Sequence, residues 1–161
     1  MFNILCRWFL LFLVYSFVGW LIEVGLYLKE YKKFVNRGFL LGPYLPLYGC
    51  GALLMVFFLR KYSGDIIILF CMSTLICSVL EYMTSYIMEK IFRARWWDYS
   101  TRKFNIEGRV CLKFALCFGF GGVIVVPFVN PFLFASFYHE PNLYYMTEKS
   151  LLIFLINPPH F

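Results

Sequence analysis

Long apolar runs separated by short polar ones set the pattern of this chain. From Trp8 to Leu28 only Ser16, Gly19, Glu23 and Gly25 break the apolar sequence, a length that lets a helix cross a bilayer. Phe39 to Leu59 is a second such run, and its first half reads LLGPYLPLYGCG. Pro43 and Pro46 each remove a backbone donor there, so a kinked or partly unwound start is expected. Ile66 to Met88 forms the third run. Val110 to about Val126 forms the fourth, with the stretch FGFGG inside it and Pro127 and Pro131 after it as punctuation. Beyond HEPN, the stretch LYYMTEKSLLIFLI is cut by Glu148 and Lys149, and its last apolar run before NPPHF is too short to span. The pattern predicts an all-α, polytopic membrane bundle over residues 1–137. Its spans fall near 8–28, 39–59, 66–88 and 110–126, with an incomplete fifth in a divergent tail, 138–161.

Composition sharpens this reading. The 161 residues are 61% hydrophobic and 15% charged, with a mean hydropathy of +0.72, whereas a soluble domain is near half apolar and a quarter charged. Disorder, a secreted disulfide scaffold and an ordinary soluble enzyme are excluded. Cys6, Cys50, Cys71, Cys77, Cys111 and Cys117 form no C-x-x-C pair, and five lie within apolar runs, so they read as small hydrophobic fillers. His139 and His160 are the two histidines, which leaves no His-based metal or nucleophile site in view and no cofactor expected. No G-x-x-x-x-G-K-[ST] occurs, so the chain carries no nucleotide-hydrolysis loop.

The net charge of +6 is read as loop charge that fixes orientation, not as a nucleic-acid surface. Lys29, Lys32, Lys33 and Arg37 lie in the first loop; Lys90, Arg93, Arg95, Arg102, Lys103, Arg109 and Lys113 lie in or beside the third. Arg7, Arg60, Lys61 and Lys149 fall on the other side. This places the first and third loops in the cytoplasm. The amino-terminal run has one Arg before it and no A-x-A pattern, as an uncleaved first span would.

The exceptions to the apolar pattern gather on the same side. Glu23 and Glu81 each lie about five to seven residues, or roughly 8–10 Å, from the cytoplasmic ends of their predicted helices. A carboxylate at that depth is costly against lipid and should face the bundle interior with a partner. Arg37, Arg95, Asp98 and Arg109 sit at the same level. Glu–Arg pairs that simply lock the bundle explain any one residue as well as a functional role does. Convergence favours function: Glu23, Asn36, Arg37, Glu81, Arg95, Asp98, Asn105 and Arg109 become candidate pocket residues. Gly38, Gly42, Pro43, Pro46 and Gly49 become a candidate hinge beside them.

In RARWWDYSTRKFNIEGR, Trp96, Trp97 and Tyr99 are expected to anchor in the headgroup layer, with a cap over the pocket as the functional alternative. Gly38-x-x-x-Gly42 and FGFGG read as helix-packing surfaces. A faint repeat runs through the chain. Glu23, Arg37-Gly38 and Tyr48-Gly-Cys-Gly51 are echoed by Glu81, Gly108-Arg109 and Phe118-Gly-Phe-Gly121, as two parallel two-helix units would be.

The run NRGFLLGPYLPLYGCGALL, the LEY around Glu81 and the block RWWDYS…FNIEGRVCL together resemble the bacterial CmpB family of ABC-transporter type IV permeases, over residues 10 to 130. The resemblance implies a multi-pass cell-membrane protein that serves as a transporter component. Matching positions include Glu23, Asn36, Arg37, Gly38, Gly42, Pro43, Tyr48, Gly49, Glu81, Trp96, Trp97, Asp98, Asn105, Gly108 and Arg109. After Pro131 the chain is expected to depart from the family, whose members continue into a further span, and to end in a truncated tail.

The leading expectation is a permease-like subunit with a polar pocket at the cytoplasmic side of the bilayer. A separate ATPase subunit touching the first and third loops, or an ion gradient acting on Glu23 or Glu81, would supply its energy. Four spans are few to enclose a pathway, so a homo-oligomer is a further expected partner besides the lipid bilayer. The alternative is an integral-membrane enzyme acting on lipid headgroups, with paired carboxylates as acid and base and arginines on phosphate. It ranks lower because the sequence offers no nucleophile with its base. A non-catalytic membrane subunit is the third reading.

Overall fold

The computed structural model describes residues 2–36, 38–39 and 42–138. Arg37 and the expected incomplete fifth span in the tail lie outside the described residues. The chain is mostly helical, in the order α1 (Phe2–Tyr31), α2 (Pro46–Leu59), α3 (Ile66–Phe92), β1 (Asn105–Ile106), β2 (Val110–Cys111), α4 (Leu112–Ile124) and α5 (Asn130–Tyr138).

Local chemistry sets the helix ends. Helix α1 stops where Lys32 turns left-handed at φ 52° and returns its amide to the Leu28 carbonyl at 2.9 Å. Pro46 opens α2, where its missing donor costs nothing. The second run is therefore helical only from Pro46, not from Phe39, and Gly42 to Leu45 are irregular. Gly38 and Gly42 accordingly lie outside any helix and do not serve as a helix-packing pair. Asp65 caps α3 by accepting from the Ile67 and Ile68 amides at 3.0 Å each. Arg93, left-handed at φ 54°, closes its other end with an amide bond to the Glu89 carbonyl at 2.9 Å.

Pro127 and Pro131 do not end the fourth run. Between α4 and α5 the helix widens into a π-turn over Val125–Val129, in which the Asn130 amide reaches the Val125 carbonyl. An α-helical turn would set the Pro127 ring against the carbonyl four residues back, and the wider turn relieves that clash. One apolar helix consequently runs from Leu112 to Ser136, ten residues past the expected boundary at Val126.

Among the described residues three helices are long and apolar enough to cross a membrane: Leu5–Tyr31, Ile66–Phe92 and Leu112–Ser136, each with a mean hydropathy of 2.1. Large apolar side chains such as Phe9, Ile67, Leu75, Phe120 and Phe128 stand exposed on their outer faces. The 14 residues of α2 reach about 21 Å at helical rise, short of the roughly 30 Å of a hydrocarbon core.

Helix α1 packs on α2, α3 on α4, and α2 touches α3. Close approach is bought with small residues. A Cβ on Gly49 would meet Ser16 Oγ and the Phe12 ring; a Cβ on Gly119 would meet Thr74 Oγ1 and the Phe70 ring. Leu11, Tyr15, Ala52 and Phe134 form one buried cluster, and Met55, Leu59, Leu69, Cys77 and Val126 form another. Buried Asn130 accepts from the Tyr15 hydroxyl at 3.1 Å, which ties α5 back to α1.

Candidate functional site

Glu23 on α1 and Glu81 on α3 line one cavity of about 190 Å³. Each carboxylate accepts from a tyrosine hydroxyl: Tyr48 donates to Glu23 Oε1 at 2.7 Å, and Tyr99 donates to Glu81 Oε1 at 3.2 Å. Glu81 is 3% exposed, and its second oxygen, Oε2, has no hydrogen-bond partner among the described residues. A buried carboxylate oxygen left in that condition is expensive. Burial, and after it the Glu81 carboxylate, push the Tyr99 hydroxyl above the usual phenol range, so Tyr99 stays a proton donor.

Aromatic side chains make most of the remaining wall. Phe39, Trp96, Trp97, Tyr48, Tyr99 and Phe118 surround the cavity, with Thr84 and Met88 continuing the α3 side. Trp96 packs edge-on against Phe39 at 5.7 Å and against Phe92 at 5.1 Å. The indole of Trp97 donates to the Arg109 carbonyl at 2.9 Å. A second space of about 40 Å³ shares Tyr48, Glu81 and Phe118 with the first and runs between α2 and α3 beside Met55 and Cys77. Trp96, Trp97 and Tyr99, read from the sequence as headgroup anchors or as a cap over the pocket, line the cavity.

The loop from Arg93 to Cys111 holds Tyr99 and the tryptophans in place. Strands β1 and β2 pair antiparallel with Ile106 opposite Val110 and Asn105 opposite Cys111. The Tyr99 amide bonds the Gly108 carbonyl at 2.7 Å. Asn105 donates to the Arg102 carbonyl at 2.7 Å and accepts from the Gly108 amide at 2.9 Å. Gly108 has φ 68°, and a Cβ there would lie 2.6 Å from Asp98 Oδ1 and 3.3 Å from the Arg95 guanidinium. Only glycine fits both the backbone and the space. Asp98 accepts from the Ser100 amide at 2.9 Å, which holds its carboxyl below the usual range.

Arg95 and Arg109, two of the arginines expected opposite Glu81, bind elsewhere. Arg109 pairs with Glu89 at 2.6 Å and Glu107 at 3.4 Å. Arg95 pairs with Glu89 at 3.1 Å and lies 3.9 Å from Asp98. Glu81 is thus capped by a phenol, not by a guanidinium. The arginines shore up the loop that delivers this phenol. Sequence reasoning missed Glu89 and Glu107 because acidic residues at a helix end and in a loop look like solvated surface. Glu89 follows Glu81 at a spacing close to helical, the one available hint that α3 carries a second acidic position. Asn36 accepts from the Trp20 indole at 2.7 Å and the Gly38 amide at 3.0 Å, fixing the start of the irregular segment and not entering the cavity wall. Of the expected hinge, Pro46 lines the cavity, while Gly49 packs against α1.

Among the described residues no group of three or more His, Cys, Asp or Glu could hold a metal ion. No Lys or Arg among them lines the cavity. The arrangement pairs two carboxylates with two hydroxyl donors inside an aromatic wall, suited to holding a small polar or charged molecule.

Compared with known proteins, the chain matches, over residues 10–157, the family model described as "Putative ABC-transporter type IV". The match runs well past Pro131, where the resemblance read from motifs was expected to end. No curated protein and no solved structure matches.

Proposed function

The chain belongs to the CmpB family of ABC-transporter type IV proteins, and from that premise we propose that it is a multi-pass permease subunit of the cell membrane. The substrate is handled in the cavity between Glu23 and Glu81. The single observation that carries this reading is the pair of carboxylates from two separate helices, each under a tyrosine hydroxyl, on one cavity of about 190 Å³. A bundle that needed these acids only for stability would be expected to neutralise Glu81 with a nearby arginine; Arg95 and Arg109 are instead committed to Glu89.

In this reading α2 and the irregular segment before it make a fourth crossing. The bases of the first and third loops place the cavity toward the cytoplasm. The bundle is two parallel two-helix units. Phe12, Ser16 and Glu23 recur as Phe70, Thr74 and Glu81 at the same spacing, and Gly49 and Gly119 take the same place against them. ATP hydrolysis comes from a separate subunit that docks on the two basic loops, because this chain has no phosphate-binding loop. A second copy or that partner completes the pathway, since few crossings are too few to enclose one.

Glu81→Gln tests the reading. Cells carrying the variant at wild-type membrane levels should show the same shift in small-molecule content as cells lacking the protein, measured by untargeted mass spectrometry of cell extracts and medium. A correctly inserted Glu81→Gln protein that leaves the wild-type content unchanged overturns it. Purification of the tagged wild type from native membranes should recover an ATPase subunit.

A further inference from the structure

Resting on that reading of the cavity, we propose that its ligand is a small alkylammonium cation, held by the open oxygen of Glu81 and by the aromatic wall. The carboxylate is buried, with one oxygen satisfied by Tyr99. The other oxygen is without a hydrogen-bond partner among the described residues. A carboxylate is an acceptor only, so its ligand must bring a donor, and a charged N–H donor makes the stronger bond. An anionic ligand would instead meet two carboxylates in a space of low polarity.

The wall supports the same sign of charge. Trp96, Trp97 and Tyr99 stand on the loop side of the cavity and Tyr48 and Phe118 on the helix side. Indole and phenol rings attract a cation through the negative faces of their π-systems, and several rings around one space form the cage that recognises ammonium groups. Neither Lys nor Arg among the described residues occupies that place. The cavity volume of about 190 Å³ corresponds to roughly six waters at ~30 Å³ each. That suits a short alkyl chain with one ammonium head. The alkyl portion extends into the smaller apolar space beside Met55 and Cys77.

The test uses the full chain in lipid nanodiscs and follows tryptophan fluorescence on titration with n-butylammonium, n-butanol and butyrate. These three share a four-carbon chain and differ in the charge of the head. Butylammonium should bind at least tenfold more tightly than butanol, and butyrate should not bind. Glu81→Gln should weaken butylammonium at least tenfold while leaving butanol unchanged, and a protein with Thr84→Trp, which fills the cavity, should bind none of them. The series on the unaltered protein carries the test by itself where Glu81→Gln fails to fold. Butanol or butyrate binding as tightly as butylammonium, with loss in Thr84→Trp, overturns the cation assignment while leaving the cavity a ligand site. Butylammonium affinity unchanged in a folded Glu81→Gln protein overturns it equally. No binding by any of the three to wild type overturns it too, and the cell-content comparison with Glu81→Gln then decides whether the permease reading also falls.

Discussion

The α1–α2 half and the α3–α4 half make the same helix contact but connect their helices in different ways. In both, a glycine lets a hydroxyl residue and a phenylalanine ring approach: Gly49 with Ser16 and Phe12, Gly119 with Thr74 and Phe70. In the first half the glutamate's tyrosine, Tyr48, sits on α2 beside that glycine. In the second half the equivalent place holds Phe118, and the hydroxyl comes instead from Tyr99 in the connecting loop. Glu23 therefore depends on helix packing, whereas Glu81 depends on a hydrogen-bonded hairpin. The difference teaches that a carboxylate of one kind can be held at one cavity by two unrelated supports, one built into the bundle and one laid over it.

The largest effects should come from breaking what the halves share. Gly49→Val and Gly119→Val each force side-chain atoms into a filled helix contact, where overpacking costs about 1–3 kcal/mol and at times more. Both variants should lower the thermal midpoint in detergent by similar amounts. Gly121→Ala is the control: nothing lies within 4 Å of a Cβ there, and the change should be neutral or slightly stabilising. If one of the two valines is tolerated and the other is not, the halves are not equivalent contacts.

A change in the loop should separate them. Gly108→Ala places a methyl group against Asp98 and Arg95 in a left-handed backbone, a conformation costing non-glycine residues about 1–2 kcal/mol. Fluorescence of Trp96 and Trp97 and hydrogen exchange at Tyr99 should change, while exchange in α1 and α2 stays as in wild type. Loss of protection in α1 and α2 as well would show that the loop supports the whole bundle and not the Glu81 side alone.

The two tyrosines give a finer comparison. Tyr48→Phe and Tyr99→Phe each remove one hydrogen bond to a carboxylate, worth about 1.5–3 kcal/mol with a charged acceptor. Unfolding midpoints should fall modestly in both. Only Tyr99→Phe should leave Glu81 with both oxygens unpaired, so it should also change the affinity of the cavity for n-butylammonium. An equal change in Tyr48→Phe would mean that the two carboxylates act as one site.

Sequence patterning reached the apolar helices and the two deep glutamates because each depends on local signals: run length, and a charge where none is expected. It also located the glycines of FGFGG, whose small size is visible in any sequence. The supports of the glutamates were less legible. Tyr48 lies 25 residues from Glu23, and Tyr99 lies 18 from Glu81, so the contacts depend on helix pairing and on the loop's path. Tyrosine in an apolar chain also reads first as a membrane-interface residue. Arginine was favoured as the partner because opposite charges attract, yet Glu89 and Glu107 compete for Arg109 and hold it in the loop. The π-turn at Val125–Val129 was hidden for another reason: proline reads as a helix end, and only the packing of Val126 and Asn130 shows that continuation is preferred.

Acidification should produce the smallest effect, confined to the loop. Hydrogen bonds from Tyr82 and then Arg109 hold the exposed Glu107 carboxyl below its ordinary range, and the Ser100 amide does the same for exposed Asp98. Carboxyls whose folded values are depressed contribute stability above their unfolded values, near pH 4, and lose it as pH falls through the folded ones. Amide exchange at Ser100 and Gly108, corrected for its intrinsic pH dependence, should thus show protection constant from pH 7 to about 5 and falling below pH 4. Protection in α1 should not follow it. Glu107→Gln should remove part of the fall, since the neutral amide has no charge to lose, and Asp98→Asn should remove the rest at Ser100. A transition of the same midpoint in α1 would place the titrating group in the cavity and not in the loop, and the separation between the two supports would fail.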